Sequence, residues 1–478
     1  MICNINNGRS WPCLAIILAV SPSFEHLMSA VDLGTAPLSR LFLRYVTPTV
    51  AAMLVTGIYV TIDGIFVGHI LGQDGLAGMM LAYPICAVLY AVGALIGMGS
   101  SSLASFYLGK GEQATARHIV GNALVMVLMA SAVLTFIGIR YGEAMLSWMG
   151  AEGEIFNAGL AYLRWYALLG VFAVLSMAFT ALLRNDGRPG LTTWILVGGG
   201  VLNVLLDYLL MAVIPWGLAG AAIATMLSQA VTGGLCLWHF FTPRSQLRIR
   251  WDTLTPNWRL MGETLRLGIS SFLMYLYLSV VLAMHNKALL AVGTSLHVAA
   301  YGVISYSEAF FYLIFEGIAM GIQPIASFNA GAGNWQRVLR VRNLALGVTL
   351  LVALCGMIPL YLWPEGVVYL FAGDNAALLP VASLGIWLYF WGLPMEGLLL
   401  VGATYFQAIN RARIASLLTG GKLVLIGGFL WGFSSLWGVS GVWLALPTCS
   451  TVLVLVLVLV LVMWRAMRKE AGLHVPAH

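Results

Sequence analysis

The stretch GMGSSSLASFYLGKG at residues 97–111 is echoed by AMGIQPIASFNAGAG at residues 319–333. Met98/Met320, Gly99/Gly321, Ala104/Ala326, Ser105/Ser327, Phe106/Phe328, Gly109/Gly331 and Gly111/Gly333 coincide without a gap. Two further pairs follow in the same order and at nearly the same spacing. RNDGR (184–188) parallels INRAR (409–413), and GLAGAAIAT (217–225) parallels GVSGVWLAL (438–446). Chance likeness between Gly/Ala-rich helices is a poor account of three matched segments in order. The chain is therefore a duplication, each half one structural unit.

Composition says where those units sit. The 478 residues are 60% hydrophobic and only 9% charged, with a mean hydropathy of +0.92. Soluble domains carry about 25% charged residues, so a soluble fold lacks the polar surface it needs. Apolar runs of roughly 20 residues, long enough to cross hydrocarbon as helices, recur along the chain. The short alternating segments of a membrane β-barrel are absent. The pattern predicts an all-α membrane protein of about twelve spans: 42–69, 77–102, 116–140, 157–183, 190–212, 217–241, 263–290, 296–325, 339–362, 378–408, 412–435 and 438–464. Six spans per half is an even number, so both halves enter the membrane from the same side. The two six-helix lobes should then be related by a pseudo-twofold axis along the membrane normal, with the substrate path between them.

The net charge of +6 does not indicate nucleic acid, because the basic residues lie in short loops between spans. Arg40, Arg44, Lys110, Arg117, Arg184, Arg188, Arg244, Arg248, Arg250, Arg337, Arg340, Arg411, Arg413, Arg465 and Arg468 fall on one side. The other side has only Arg140, Arg164 and Lys287 near its edges. That asymmetry predicts cytoplasmic termini at both ends. It implies an N-terminal extension (1–37), a first lobe (38–241), a cytoplasmic connecting loop (242–262), a second lobe (263–464) and a tail (465–478). Residues 11–20 are apolar but too short to span, and translation starting at Met28 would remove them. The six cysteines, Cys3, Cys13, Cys86, Cys236, Cys355 and Cys449, form no CxxC pair, which argues against a disulfide framework or zinc site.

Soluble-enzyme motifs fail. GKG at 109–111 and GGKL at 420–423 glance at a phosphate loop without completing one, and HExxH does not occur. The chain is read as no enzyme, without cofactor, and energy for transport should come from an ion gradient. What remains are acids inside spans, each costing about 2.5–3.5 kcal/mol at mid-helix on insertion scales. Asp63 lies in the first span with Tyr59 one turn earlier on the same face, and Asp207 lies in the fifth with Asn203 one turn earlier. Glu308 lies in the eighth span and Glu396 in the tenth beside Pro394. Opposite Asp207 the second half reads IGGFLW, wholly apolar, so the halves keep a scaffold while differing in chemistry. The competing reading for each acid is a structural hydrogen bond between helices. Glu316 is expected to find water or backbone near the cytoplasmic end. His285 and Lys287 are placed near the external interface, Asp186 in a basic turn without special role, and Lys422 is the clearest buried base. Glycines 57, 64, 198, 199 and 200 could permit bending near Asp63 and Asp207.

TIDGIFVG followed by GLAG, the ALLRNDGRPG turn, NVLLD, GLAGAAIAT and QPIASFNAGAGNWQRV together resemble the multidrug and toxic compound extrusion family, from about residue 38 to 465. The resemblance implies a twelve-helix secondary antiporter that expels cationic or amphipathic compounds against sodium or proton inflow. It implies that Asp63, Asn203, Asp207 and Thr225 form the proton or cation site of the first lobe, holding the metal if the ion is sodium, with Tyr59 lining the pocket. Glu308 and Glu396 are candidates for the substrate cavity. The branch of the family that relies on acids of the seventh and tenth helices is matched only at Glu396, since His285, Asn286 and Lys287 stand in the seventh span. That departure favours protons over sodium. The main rival reading is a flippase for lipid-linked saccharides or another amphipathic lipid, which a cavity lined by several basic residues would suit. The expected partners are the lipid bilayer and small organic cations or drugs, not nucleic acid. The expected place is the plasma membrane (the inner membrane of a bacterium), the expected state a monomer.

Overall fold

The computed structural model describes residues 33–372 and 376–470. The proposed extension up to Leu33, with Met28, Cys3 and Cys13, lies outside the described residues, as do the last eight. Among the described residues, ten helices are long and apolar enough to cross a membrane, and a pair bent by 56° makes one more. They are α1 (Leu38–Gly72), α2 (Asp74–Gly109), α3 (Gln113–Trp148), the bent α4 (Gly153–Leu168 with Gly170–Asn185), α5 (Pro189–Val213), α6 (Gly217–Phe241), α7 (Trp258–Val292), α8 (Ser295–Gly331), α9 (Trp335–Leu362) and α10 (Leu378–Ala408). The remaining stretch, Ala412–Met463, has 52 residues. At 1.5 Å per residue it is far too long for one crossing of a bilayer core about 30 Å thick. Gly438, at φ +57°, breaks it into α11 (412–437) and α12 (439–463). Gly72, at φ +71°, makes the same kind of break between α1 and α2. The sequence count of twelve spans follows.

Each half is built on one main core, with α1 and α7 shared between the two. One cluster of buried side chains joins α2 to α6 through Ala82, Phe179, Met226 and Phe240, and takes in Val67 of α1 and Leu260 and Leu267 of α7. The other joins α7 to α12 through Tyr277, Phe315, Phe406 and Trp443, and takes in Leu41, Tyr45 and Val46 of α1. The lobes meet where the repeat predicted. Gly109 of α2 lies against the carbonyl of Phe328, and Gly331 of α8 lies against the carbonyl of Phe106. These are the same two contacts exchanged between repeat-equivalent residues, as a twofold axis requires. The exchange continues outward: Gly317 and Gly321 of α8 meet Val50 and Val46 of α1, while Gly99 of α2 meets Thr264 and Gly268 of α7. Only glycine permits backbones this close; lipid tails supply no hydrophobic drive, so van der Waals packing of small residues holds such crossings. Gln323 adds hydrogen bonds from Nε2 to the Met98 carbonyl (3.1 Å), Ser101 Oγ (3.3 Å) and Ser102 Oγ. All these approaches lie in the halves of α1, α2, α7 and α8 next to the basic loops.

The connecting segment before α7 is pinned rather than loose. Asn122 of α3 donates to the carbonyls of Thr253 (3.3 Å) and Thr255 (3.1 Å) and accepts from the Asn257 amide (2.7 Å). Asp186, read from sequence as a residue without special role, is wholly buried there. Its Oδ2 lies 2.8 Å from His239 Nε2, and its Oδ1 accepts from the Gln246 and Leu247 amides at 3.1 and 3.3 Å. A carboxylate with three partners is a fastening between the turn after α4, the end of α6 and the connecting loop.

Candidate functional site

The first-lobe residues singled out by sequence converge. Asp63 on α1 and Asp207 at the end of the regular part of α5 lie within electrostatic range of each other. Asp207 is fully buried. Neither of its carboxylate oxygens accepts a hydrogen bond, nor do Asp63 Oδ1 and Asn203 Oδ1. Asn203 instead donates from Nδ2 to Thr225 Oγ1 on α6 at 3.4 Å. Immediately after Asp207 the helix widens into a π-helical turn, Tyr208–Val213. Such insertions recur at functional sites because they re-aim side chains without ending the helix. Four oxygens from three side chains thus lack donors in a region where an unpaired buried acceptor is costly.

Aromatic residues enclose this group. Tyr59 packs against Gly200, where a Cβ would stand 2.8 Å from the ring, and its hydroxyl bonds Gln229. Tyr83 of α2 and Tyr162 of α4 are in electrostatic reach of Asp63, and Tyr162 stacks on Tyr166 at 5.0 Å. Tyr166 in turn shares a hydrogen bond of 3.0 Å with Tyr90. The sequence reading missed these four tyrosines; their shared signal is placement on α2 and α4, the helices that face α1. Gly199 and Gly200 provide close seats for Thr232 and Tyr59.

The second lobe has a separate acid cluster, not joined to the first. Glu396 on α10 pairs with Lys422 of α11 through one oxygen and with Ser450 of α12 through the other. The Lys422 ammonium also stands over the Tyr277 ring, 3.9 Å from its centroid. Glu308 accepts a hydrogen bond of 2.5 Å from Tyr389. Glu308 and Glu396 line one small cavity together, and Glu396 and Lys422 line a second.

Several expectations are corrected here. His285 is not an interfacial residue: it is fully buried, stacked on Tyr301 at 4.8 Å, with Nδ1 2.9 Å from the Val281 carbonyl. Lys287, two residues on, is exposed as expected. Glu316 relies on a side chain, accepting from the Tyr275 hydroxyl at 2.7 Å, with Arg184 in electrostatic range. Arg184 and Arg342 are as buried as Lys422. Among the described residues no group of three or more His, Cys, Asp or Glu side chains is placed to hold a metal ion.

Twelve helices in two interlocked lobes, each burying its own acids, define a two-lobed membrane transporter. The MatE family model matches twice, at residues 48–209 and 267–429, once in each half. The chain belongs to that family. Among curated proteins it is similar to "Multidrug export protein MepA" of Staphylococcus haemolyticus (strain JCSC1435), 23% identical over 413 residues, covering 86% of this chain and 91% of that one. The protein of the same name from Staphylococcus aureus (strain MRSA252) is 22% identical over 409 residues, covering 85% and 90%. Among solved structures it is similar to "Outward-facing conformation of a multidrug resistance MATE family transporter of the MOP superfamily", with a TM-score of 0.84, 22% identity, and 94% and 98% of the two chains covered. "Crystal structure of MATE in the bent conformation" superposes with a TM-score of 0.85 at 22% identity, covering 92% and 98%.

Proposed function

We propose that the chain is an antiporter that exports cationic or amphipathic organic compounds in exchange for protons, by alternating access between its lobes. The observation that carries the reading is the first-lobe group in which Asp207 is fully buried beside Asp63 with no donor to either of its oxygens. Two ionised carboxylates in that setting cost several kcal/mol, so the group calls for a proton or a metal cation. Binding one favours one arrangement of α1, α5 and α6; cargo that favours another supplies the exchange. Multidrug export, the activity in the names of the staphylococcal relatives, fits the tyrosines gathered near Asp63, since aromatic faces attract organic cations.

A proton needs only a carboxylate that burial beside another acid makes costly to ionise. Sodium needs several oxygens in one shell, which Asp63, Asn203, Asp207 and Thr225 have the atoms to supply. The one acid of α7, Glu263, pairs with Arg259 at the basic-loop end of the helix (3.3 Å), so α7 has no mid-helix acid for the second-lobe sodium site as usually built, and this favours protons. The flippase reading is disfavoured because the buried bases are already engaged within the protein: Lys422 by Glu396, Arg184 with Glu316 in electrostatic range, and Arg342 by Asn343 and the Tyr405 ring. Both termini are assigned to the cytoplasm, in a plasma membrane, and the unit to a monomer. The deciding experiment is efflux from proteoliposomes with sodium varied at fixed pH, then with a proton gradient imposed and collapsed by an uncoupler. Transport that ignores the uncoupler and tracks sodium reverses the ion while leaving Asp63 and Asp207 as its ligands.

A further inference from the structure

The second-lobe cluster has the geometry of an ion site with an occupant already attached. Glu396 has both oxygens engaged, one by the Lys422 ammonium and one by the Ser450 hydroxyl. The ammonium sits against the Tyr277 face at 3.9 Å from the centroid. A carboxylate on one side and an aromatic face on the other is the environment that binds monovalent and alkylammonium cations. Lys422 and Glu396 side chains are 9% and 10% exposed, so water does not compensate either charge.

The comparison between lobes sharpens this. Helices α11 and α12 are the repeat equivalents of α5 and α6. In the first lobe, α5 and α6 carry Asn203, Asp207 and Thr225, and the acid oxygens have no donor in the protein. In the second lobe, α11 and α12 carry Lys422 and Ser450, and the acid they face is fully engaged. We propose that the second lobe contains a monovalent-cation site that the chain fills itself, the Lys422 ammonium taking the place of a free alkali-metal or small alkylammonium ion between Glu396 and Tyr277. The positive charge that the first lobe must draw from solution is supplied covalently in the second. Glu308, across the cavity from Glu396, is held by the Tyr389 hydroxyl.

Two small cavities adjoin the pair, one between Glu308 and Glu396 and the other beside Lys422, walled by Met274, Tyr277 and Tyr312. Shortening Lys422 to alanine removes three carbons and the ammonium nitrogen, enough room for methylammonium.

The experiment therefore uses Lys422→Ala in the full-length protein, with thermal unfolding in detergent and efflux from proteoliposomes as readouts. Ionic strength is held constant with N-methyl-D-glucamine chloride while methylammonium or sodium is added. In N-methyl-D-glucamine alone, K422A should transport at least about tenfold more slowly than the parent, since a buried charge has lost its partner. Methylammonium at tens of millimolar should raise both its melting temperature and its rate several-fold. The parent and the doubly neutral E396Q/K422M, which has no site, should not respond to methylammonium. K422R, which keeps a tethered cation, should need no supplement. Lys422→Ser repeats the test with a small polar residue should K422A not accumulate in the membrane. The proposal is overturned if K422A matches the parent without added cation. It is equally overturned if neither small variant gains accumulation, stability or rate from any cation supplied, which would leave an ordinary structural ion pair. Stabilisation by methylammonium that appears in K422A and not in the parent or E396Q/K422M reports the second lobe alone, and a sodium response shared by all variants belongs to the first lobe, so failure here is separable from failure of the first-lobe reading.

Discussion

Adding one methyl group at Gly331 should open the lobe interface on the side of the basic loops, and adding one at Gly109 should do the same to the same extent. A Cβ at either position runs into a backbone carbonyl of the opposite lobe, Phe106 for Gly331 and Phe328 for Gly109. Backbone cannot step aside as a flexible side chain can, so the helices must part by on the order of 1 Å to restore carbon–oxygen contact distance. Overpacking of this kind costs about 1–3 kcal/mol. The cost falls on the state in which α2 and α8 touch, so at about 2 kcal/mol the balance shifts roughly thirtyfold toward separation. Gly428→Ala is the control, because nothing lies within 4 Å of a Cβ there. Spin labels at Ala114→Cys and Ala332→Cys, both exposed, would report the distance between lobes once the exposed Cys355 has been replaced. Longer distances should appear in G109A and G331A alike and not in the control. Unchanged distances in both, or a change in only one, would refute the claim that these two contacts are symmetric and close the interface.

Asp63→Asn or Asp207→Asn should abolish coupled efflux while the protein still reaches the membrane; full drug efflux by the double variant would defeat the coupling assignment. Asp186→Ala should cost about 3 kcal/mol, since three donors to a buried carboxylate lose their acceptor. It should also speed proteolysis between residues 242 and 257, and an unchanged melting temperature and cleavage rate would contradict it. A cysteine at Arg250 should be labelled by impermeant reagent only after the cells are opened; labelling in intact cells would invert the topology.

The repeat and the spans were legible because each rests on a local property. Twenty apolar residues specify a crossing whatever their neighbours are, and Gly109 and Gly331 repeat in sequence because each must admit a carbonyl in space. Acids within spans were legible for a similar reason: their burial cost is carried by the residue itself. What could not be read were partners. Lys422 lies on α11, Glu396 on α10 and Ser450 on α12, and no periodicity in one helix says which face meets another. The tyrosines beside Asp63 and the stacking of His285 on Tyr301 were hidden for the same reason. Asp186 misled because its arginine neighbours suggested a solvated turn, whereas the connecting loop folds back over it.

The way the two halves differ follows from how the lobes are held together. The contacts that join them use backbone and small residues: Gly99, Gly109, Gly317, Gly321 and Gly331, with Gln323 and its serines. None of these is an acid, and none lies in either acid cluster. Substitution around Asp207 or Glu396 therefore leaves the crossing of α2 and α8 intact, whereas Glu316 of α8, with Arg184 of α4 in electrostatic range, links the two lobes. In the first lobe both oxygens of Asp207 and Oδ1 of Asp63 have no donor, so on the proposed mechanism the charge of that pair depends on what solution supplies. The second pairs Glu396 with Lys422 within one chain, so its charge there does not. An exchanger whose two lobes answered to the same ion would have two places at which that ion could drive or stall the cycle. On the exchange mechanism proposed above, a charge fixed covalently in one lobe leaves the other as the point where an ion gradient acts.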